Sequence, residues 1–248
     1  MEKTNIFNLN VAYGNYDDFL KKFLNQAVDN KSQYHVFTNS HMIYEVHHSA
    51  EYMDVVAGAD TICPDGMPLT YSVRWIKKKK TDRIAGNDMI FSLVEAANKN
   101  KLKVFFYGSS DQVLNKIKEK IDKDYYGSLE AMYYSPPFRA LSEEEYAEHA
   151  GMINDFGANL VFVGLGCPKQ ERWMHKMKNI VKAPMFGVGG AFLLYGGIDS
   201  RAPKLMRDLG IEWVYRLALE PRRLFLRYFV TNVYFCRLVV KEILKKRR

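Results

Sequence analysis

Short apolar runs rich in Val, Ile, Phe and Tyr recur along the chain, at 35–38, 103–107, 129–134, 160–164 and 185–188. Each is only a few residues long and closes on Gly, Asn or Ser, which predicts buried strands. Between them the apolar positions fall at helical spacing, over 42–48, 67–76, 88–98, 112–122, 143–155 and 169–181. Alternation of this kind predicts an α/β fold, a parallel sheet with helices on both faces. Ligands of such sheets bind beyond the carboxyl ends of the strands. The residues that follow each strand are therefore the first place to look for chemistry.

Those loops hold Thr38-Asn39-Ser40-His41, Cys63-Pro64-Asp65-Gly66-Met67-Pro68, Arg83-Ile84-Ala85-Gly86-Asn87-Asp88, Gly108-Ser109-Ser110-Asp111, Gly164-Leu165-Gly166-Cys167-Pro168-Lys169-Gln170-Glu171 and Gly189-Gly190-Ala191-Phe192. Asn87 or Asp88 is expected to cap a helix, and Pro168 suits a first helical turn, where its missing N–H costs nothing. Glycines let backbone N–H groups approach a ligand, and helix N-termini favour anions. Several such loops on one sheet edge point to a phosphate-containing ligand.

The 248 residues can bury a sizeable core, and 48% hydrophobic content excludes a disordered chain. Three scattered cysteines exclude a disulfide scaffold and suit a reducing compartment. The first sixteen residues lack the apolar run of a leader, and no stretch is long enough and free enough of charge to span a bilayer. Charge is segregated. Positions 213–248 carry ten basic and two acidic residues, which is the whole net charge of +8. Large apolar residues (Trp213, Tyr215, Phe225, Tyr228, Phe229, Tyr234, Phe235) interleave with the arginines. A basic, aromatic, amphipathic segment reads as one that lies on an anionic membrane surface; nucleic acid is the rival partner for the same charge.

Other chemistries drop out. Lys169 stands where the dinucleotide fingerprint needs a third Gly, and no P-loop, GxSxG or HExxH occurs. Asp122-Lys123-Asp124 mimics a metal-binding DxD, but it ends a Lys-rich helical pattern and reads as surface, so no metal ligands are assigned. His47 and His48 are adjacent, which is poor ligand geometry on a helix.

Pro64-Asp65-Gly66-Met67-Pro68, Arg83-x-x-Gly86-x-Asp88, Tyr134-Ser135-Pro136-Pro137-Phe138, Gly164-Leu165-Gly166-x-Pro168-Lys169-Gln170-Glu171, Gly187-Val188-Gly189-Gly190-x-Phe192, Arg201-Ala202-Pro203, Glu212-Trp213-x-Tyr215-Arg216 and Glu220-Pro221-Arg222-Arg223 occur in this order. The set, over nearly the whole chain, resembles the WecG/TagA/CpsF family of bacterial glycosyltransferases. The resemblance implies a Rossmann-like catalytic core, 1–198, and a basic amphipathic helical appendage, 199–248, that completes the site and meets the membrane. It implies a metal-independent, inverting transfer of a hexose or N-acetylhexosamine from a UDP-sugar, with no further cofactor, to a polyprenyl-diphosphate-linked sugar. The expected setting is the cytoplasmic face of the cell membrane, in surface-polysaccharide or teichoic-acid synthesis. Partners are then the UDP-sugar, the lipid-linked acceptor and an anionic membrane, with self-association into a homo-oligomer an option and nucleic acid not a partner. A rival reading keeps the fold as a non-catalytic nucleotide- or glycolipid-binding module. Its support is one departure: with Asn39 placed on the family's Thr-x-Asn, Phe37 occupies the Thr position and Thr38 is one residue out of step.

Within that frame Asp65 is the expected general base, with Gln170 and Asn39 beside it. Arg83, Gly108, Ser109, Tyr134, Gly164, Gly166, Lys169, Glu171, Gly189 and Gly190 are expected around the nucleotide and its diphosphate. Arg216, Arg222 and Arg223 are expected on the acceptor and membrane side, because guanidinium forks match phosphate oxygens.

Overall fold

The computed structural model describes residues 1–203, 205–206 and 212–246, the side chains of Arg216, Arg223 and Lys246 lying outside that description. In chain order the elements are β1 (Glu2–Ile6), β2 (Leu9–Tyr13), α1 (Tyr16–Val28), β3 (Tyr34–Thr38), α2 (Ser40–His48), α3 (Ala50–Ala57), β4 (Thr61–Pro64), α4 (Met67–Trp75), α5 (Gly86–Lys99), β5 (Val104–Gly108), α6 (Asp111–Tyr125), β6 (Ala131–Tyr134), α7 (Glu143–Phe156), β7 (Leu160–Gly164), α8 (Lys169–Met177), β8 (Met185–Gly187) and α9 (Ala191–Tyr195). Two further helices follow, Glu212–Leu219 and Pro221–Lys246.

The strands form one eight-stranded sheet in the order β1-β2-β4-β3-β8-β7-β5-β6. Only β1 runs antiparallel to its neighbour; every other pairing is parallel. The central strands are buried on both faces, which is why they read as continuous apolar runs. One face packs under α2, α3, α4, α7 and α8, with Tyr52, Leu69, Ile153, Trp173 and Met174 at its centre. The other packs under α1, α5, α6 and α9 through Phe19, Phe23, Leu93, Ile117 and Phe192. The expected α/β architecture is thus present, with all five predicted strands and all six predicted helices.

Across the neighbouring strands β3, β8, β7 and β5 the loops leave the sheet toward alternate faces. After β3 and β7 the chain enters α2 and α8 on one face, and after β8 and β5 it enters α9 and α6 on the other. Such reversals open a crevice at the carboxyl edge, where ligands of open α/β sheets bind.

The C-terminal helix Pro221–Lys246 lies along α2. Phe235 meets Phe7 of the β1–β2 turn edge-on at 5.1 Å, and Tyr234 packs on Tyr44, His47 and His48. Burying a side chain the size of Phe235 contributes about 1.5–3 kcal/mol. The two adjacent histidines divide their partners: His47 Nε2 bonds the Phe7 carbonyl oxygen at 3.1 Å, and His48 Nδ1 bonds that of Tyr44 at 2.7 Å. Asp122 and Asp124 stand exposed at the end of α6, where Lys120 pairs with Asp124.

Candidate active site at the carboxyl edge

The loops after β3 and β4 lie side by side because those strands pair in parallel, with Thr38 opposite Pro64. The Asp65 and Gly66 N–H groups both donate to Thr38 O, at 3.0 and 3.4 Å. Gly66 has little room for a side chain, since a Cβ there would stand 3.3 Å from Asn39 Cβ. Asn39 and Asp65 therefore share one corner of the edge. Asn39 caps α2, its Oδ1 accepting from the His41 and Met42 N–H groups at 3.0 and 3.2 Å. Its Nδ2 has no protein partner among the described residues. Asp65 is half-buried and precedes the cap of α4, which is Gly66. The cap role open to Asp65 from sequence alone falls to its neighbour.

Among the described residues five helices that begin at this edge lack a side-chain cap. They are α4, α5, α6, α8 and the short α9, with Gly66, Ala85, Ser110, Pro168 and Gly190 at the cap position. The expected cap at Asn87 or Asp88 is corrected here: α5 starts earlier, at Gly86, and Asp88 sits in its first turn. An uncapped N-terminus leaves backbone N–H groups without intrahelical acceptors, and those groups suit an anion. Lys169 stands exposed at the first position of α8. Gly108 and Gly164 pack backbone to backbone: a Cβ on Gly108 would meet the Gly164 carbonyl carbon at 2.9 Å. Gly108 has φ +109°, and Ser109 follows at φ +65° with its carbonyl accepting from Ser135 Oγ at 2.7 Å. Gly166 and Gly189 are also left-handed, and Gly190 is exposed.

Several expected binding residues turn out to be engaged by the protein itself. Arg83 is not an open cation. It pairs with Asp88 at 3.1 Å and with Glu212 at 3.0 Å, and Arg201 pairs with Asp88 in turn. Asn87 adds a 3.4 Å bond to Glu212. The charged motif residues thereby clasp the C-terminal segment to the start of α5. Gln170 does point back over the strand ends, but its partners are protein atoms. Its Oε1 accepts from Gly166 N at 3.1 Å, and its Nε2 donates to Gly187 O at 3.0 Å and to Glu171 at 2.7 Å. Buried to 4% exposure, it ties the Gly164–Gly166 turn to β8. Glu171 is fully buried and cannot touch a ligand; Tyr52 donates to it at 3.0 Å, and burial raises its pKa above the ordinary 4.5. Cys167, alongside, is held as a thiol, its pKa pushed up to about 12 by burial first and the Glu171 charge second. The Tyr134 hydroxyl meets His149 Nε2 at 3.0 Å, and His149 Nδ1 meets the Tyr107 hydroxyl at 2.8 Å. Tyr134 is half-buried at the end of β6, its hydroxyl held by His149.

Phe37 and Thr38 face opposite sides of β3. Phe37 lies under α5, where a Cβ on Gly86 would come within 3.2 Å of its ring. Thr38 is buried against Met42 Sδ. Of the expected acceptor-side arginines, Arg222 is exposed at the start of the C-terminal helix, while Arg216 and Arg223 fall outside the described side chains. Sequence reasoning gave Asp88 at most a capping role, and Arg201 and Glu212 none. The motif strings contained them, but Arg83 and Glu212 are 129 positions apart and no spacing signal links them.

A sequence model described as "Glycosyl transferase WecG/TagA/CpsF family" matches residues 4–248. A Bacillus spizizenii protein named N-acetylglucosaminyldiphosphoundecaprenol N-acetyl-beta-D-mannosaminyltransferase is 33% identical over 195 residues, 78% of this chain and 74% of that one. A Bacillus subtilis protein of the same name is 30% identical over 225 residues, covering 90% and 86%. One from Staphylococcus aureus, again so named, is 28% identical over 204 residues, covering 82% and 77%.

Proposed function

The chain belongs to the WecG/TagA/CpsF family of glycosyltransferases, and on that footing we propose that it moves a hexose or N-acetylhexosamine from a UDP-sugar to a polyprenyl-diphosphate-linked sugar, with inversion. The observation that carries the reading is the corner where Asp65 and Asn39 meet beneath uncapped helix N-termini. Asp65 takes the proton of the acceptor hydroxyl as its oxygen attacks C1 of the donor sugar. The C1–O bond to the diphosphate breaks, and the electron pair leaves with UDP. A carboxylate within hydrogen-bond reach of the hydroxyl is what such a step requires. Charge developing on the diphosphate is met by backbone N–H groups of the Gly108-Ser109, Gly164–Gly166 and Gly189-Gly190 turns, by the helix N-termini and by Lys169. Gln170 and Glu171 hold the central turn in place from below, and Asn39 offers its amide to a sugar hydroxyl.

The acceptor is a lipid, so the reaction belongs at a membrane surface. No helix among the described residues is long and apolar enough to cross a bilayer. The C-terminal helix instead exposes Phe225, Leu226, Phe229, Val233, Val240 and Leu244 together with Arg222, Arg237, Lys241 and Lys245. That composition suits a helix lying in the headgroup layer. In this reading 1–198 is the catalytic core, 199–248 the membrane- and acceptor-facing part, and the enzyme sits on the cytoplasmic face.

The test is a donor screen across UDP-sugars with a soluble prenyl-diphosphate-sugar acceptor. The relatives' names make UDP-N-acetylmannosamine the first donor and an N-acetylglucosamine-bearing acceptor the first partner. Transfer from one UDP-N-acetylhexosamine is expected, and silence across the whole panel would remove the proposal. EDTA is expected to leave turnover unchanged. Loss on chelation, restored by Mg²⁺ or Mn²⁺, would replace the backbone cradle with a metal.

A further inference from the structure

A second surface shares the chemistry of the C-terminal helix but belongs to the core. Helix α4 ends on Trp75, whose ring is 70% exposed and stacks on Tyr71 at 4.5 Å with an interplanar angle of 7°. Four lysines follow, Lys77 to Lys80. The loop that carries them is fixed. Ile76 is buried, Lys79 N donates to Val73 O, and Arg74 Nε donates to Thr81 O at 2.6 Å. Thr81 in turn bonds the Gly14 carbonyl at 3.2 Å. Arg74, Trp75 and residues 78–82 enclose an open groove of about 530 Å³.

Consecutive lysines repel one another, so a solvated loop has no physical need of four. Lys77 is neutralised by Glu242 at 2.5 Å, and Arg74 lies 3.8 Å from Asp82. Lys79 lies 5.1 Å from the centre of the Tyr13 ring. Lys78 and Lys80 are exposed and have no carboxylate at ion-pair distance among the described residues. The Lys77–Glu242 contact ties the start of this loop to the C-terminal helix, whose last turns expose Val240, Lys241 and Leu244.

We propose that Trp75, Lys78 and Lys80 form a second bilayer contact, borne by the catalytic core and continuous with the C-terminal helix, for an anionic lipid surface. The proposal rests on the membrane reading given above and extends it. Trp rings settle at the headgroup level, where one end is apolar and the other wet. Lysine ammonium groups beside such a ring meet lipid phosphates, an attraction that falls off within a Debye length. Charge complementarity and continuity with the apolar face of the helix select a bilayer as the occupant. A single amphipathic helix can roll about its own axis on a membrane. Contact at the groove as well would stop that rolling and hold the carboxyl edge of the sheet at one angle to the lipid-borne acceptor.

The experiment uses the full chain and vesicles of phosphatidylcholine with and without phosphatidylglycerol. Lys78→Glu/Lys80→Glu is compared with Lys118→Glu/Lys123→Glu, an equal change of charge on exposed positions of α6, which covers the opposite sheet face. The first pair is expected to weaken binding to the anionic vesicles by at least roughly tenfold, and the second pair by far less. Trp75→Phe is expected to remove much of the tryptophan quenching by brominated lipid, and Lys78→Glu/Lys80→Glu to keep wild-type turnover on a soluble acceptor. If the wild-type chain ignores anionic vesicles, the membrane reading fails and this proposal with it. If the wild type binds and the two charge-reversal pairs behave alike, this proposal alone is overturned. It is overturned as well if Lys78→Glu/Lys80→Glu loses binding to RNA and keeps binding to vesicles.

Discussion

Asp65 and Glu171 are both carboxylates near the carboxyl edge, and their surroundings assign them opposite work. Asp65 is partly open beside Asn39. Asp65→Asn is therefore expected to cut turnover by ~10²–10⁴ while UDP binding, followed by calorimetry, stays near wild type. Glu171 is buried, and its pKa is raised by loss of solvent. A carboxyl whose folded pKa exceeds its unfolded one binds its proton more tightly in the native state. Its contribution is present below the unfolded value and lost as pH rises through the folded one. Glu171→Gln lacks that loss, so its stability relative to wild type is expected to rise as pH is raised above the ordinary glutamate value. Urea midpoints over that rise in pH measure it, and a constant difference would mean Glu171 does not titrate there. The sequence reading makes Asp65 the general base and places Glu171 around the nucleotide. Burial separates them, and it involves Tyr52 reaching Glu171 from 119 positions away.

At the scale of elements, the close approach of β5 and β7 at their ends depends on Gly108. An added Cβ would meet backbone, which cannot swing aside, and φ is +109°. Gly108→Ala is expected to cost about 2 kcal/mol or more. Gly127→Ala, also at positive φ but with nothing within 4 Å of its Cβ, is the control and is expected to cost less. Denaturant unfolding of both decides the point. Of the five predicted strands, β3, β5, β7 and β8 are buried along nearly their whole length, whereas β6 is a half-buried edge strand. The three strands missing from the sequence reading differ physically. In β1 only Ile6 is buried, so Glu2–Ile6 has no apolar run to notice. Strand β2 lies next to that edge and exposes Asn10, and β4 is buried but ends in Pro64, a residue that argues against a strand. Helices α1 and α3 leave an equally faint trace. Their starts are marked by the caps Asn15 and Ser49.

Across the molecule, charge joins the core to the C-terminal part at two distant places, Arg83 with Glu212 and Lys77 with Glu242. The compositional split at the tail is plain from sequence; the clasp is not, because its partners come from distant parts of the chain. Surface attraction to an anionic bilayer is screened as the Debye length falls from ~10 Å at about 0.1 M salt to ~3 Å at about 1 M. Turnover on a long-chain acceptor held in anionic vesicles is expected to fall over that range. Turnover on a short soluble acceptor is expected to change far less. Equal salt responses of the two assays would detach catalysis from the membrane.

The edge-on contact of Phe7 with Phe235 joins a residue from the first turn of the chain to one from its last helix. In biosynthesis the hairpin is made long before Phe235, and its apolar knob stays uncovered until that helix has been made. Contacts this far apart in sequence form late, because the loop they close is the longest available. A nascent chain can thus assemble its sheet and donor turns while the surface that receives the C-terminal helix is still bare. Burial of Phe7 thus reports that the helix carrying Phe235 has docked.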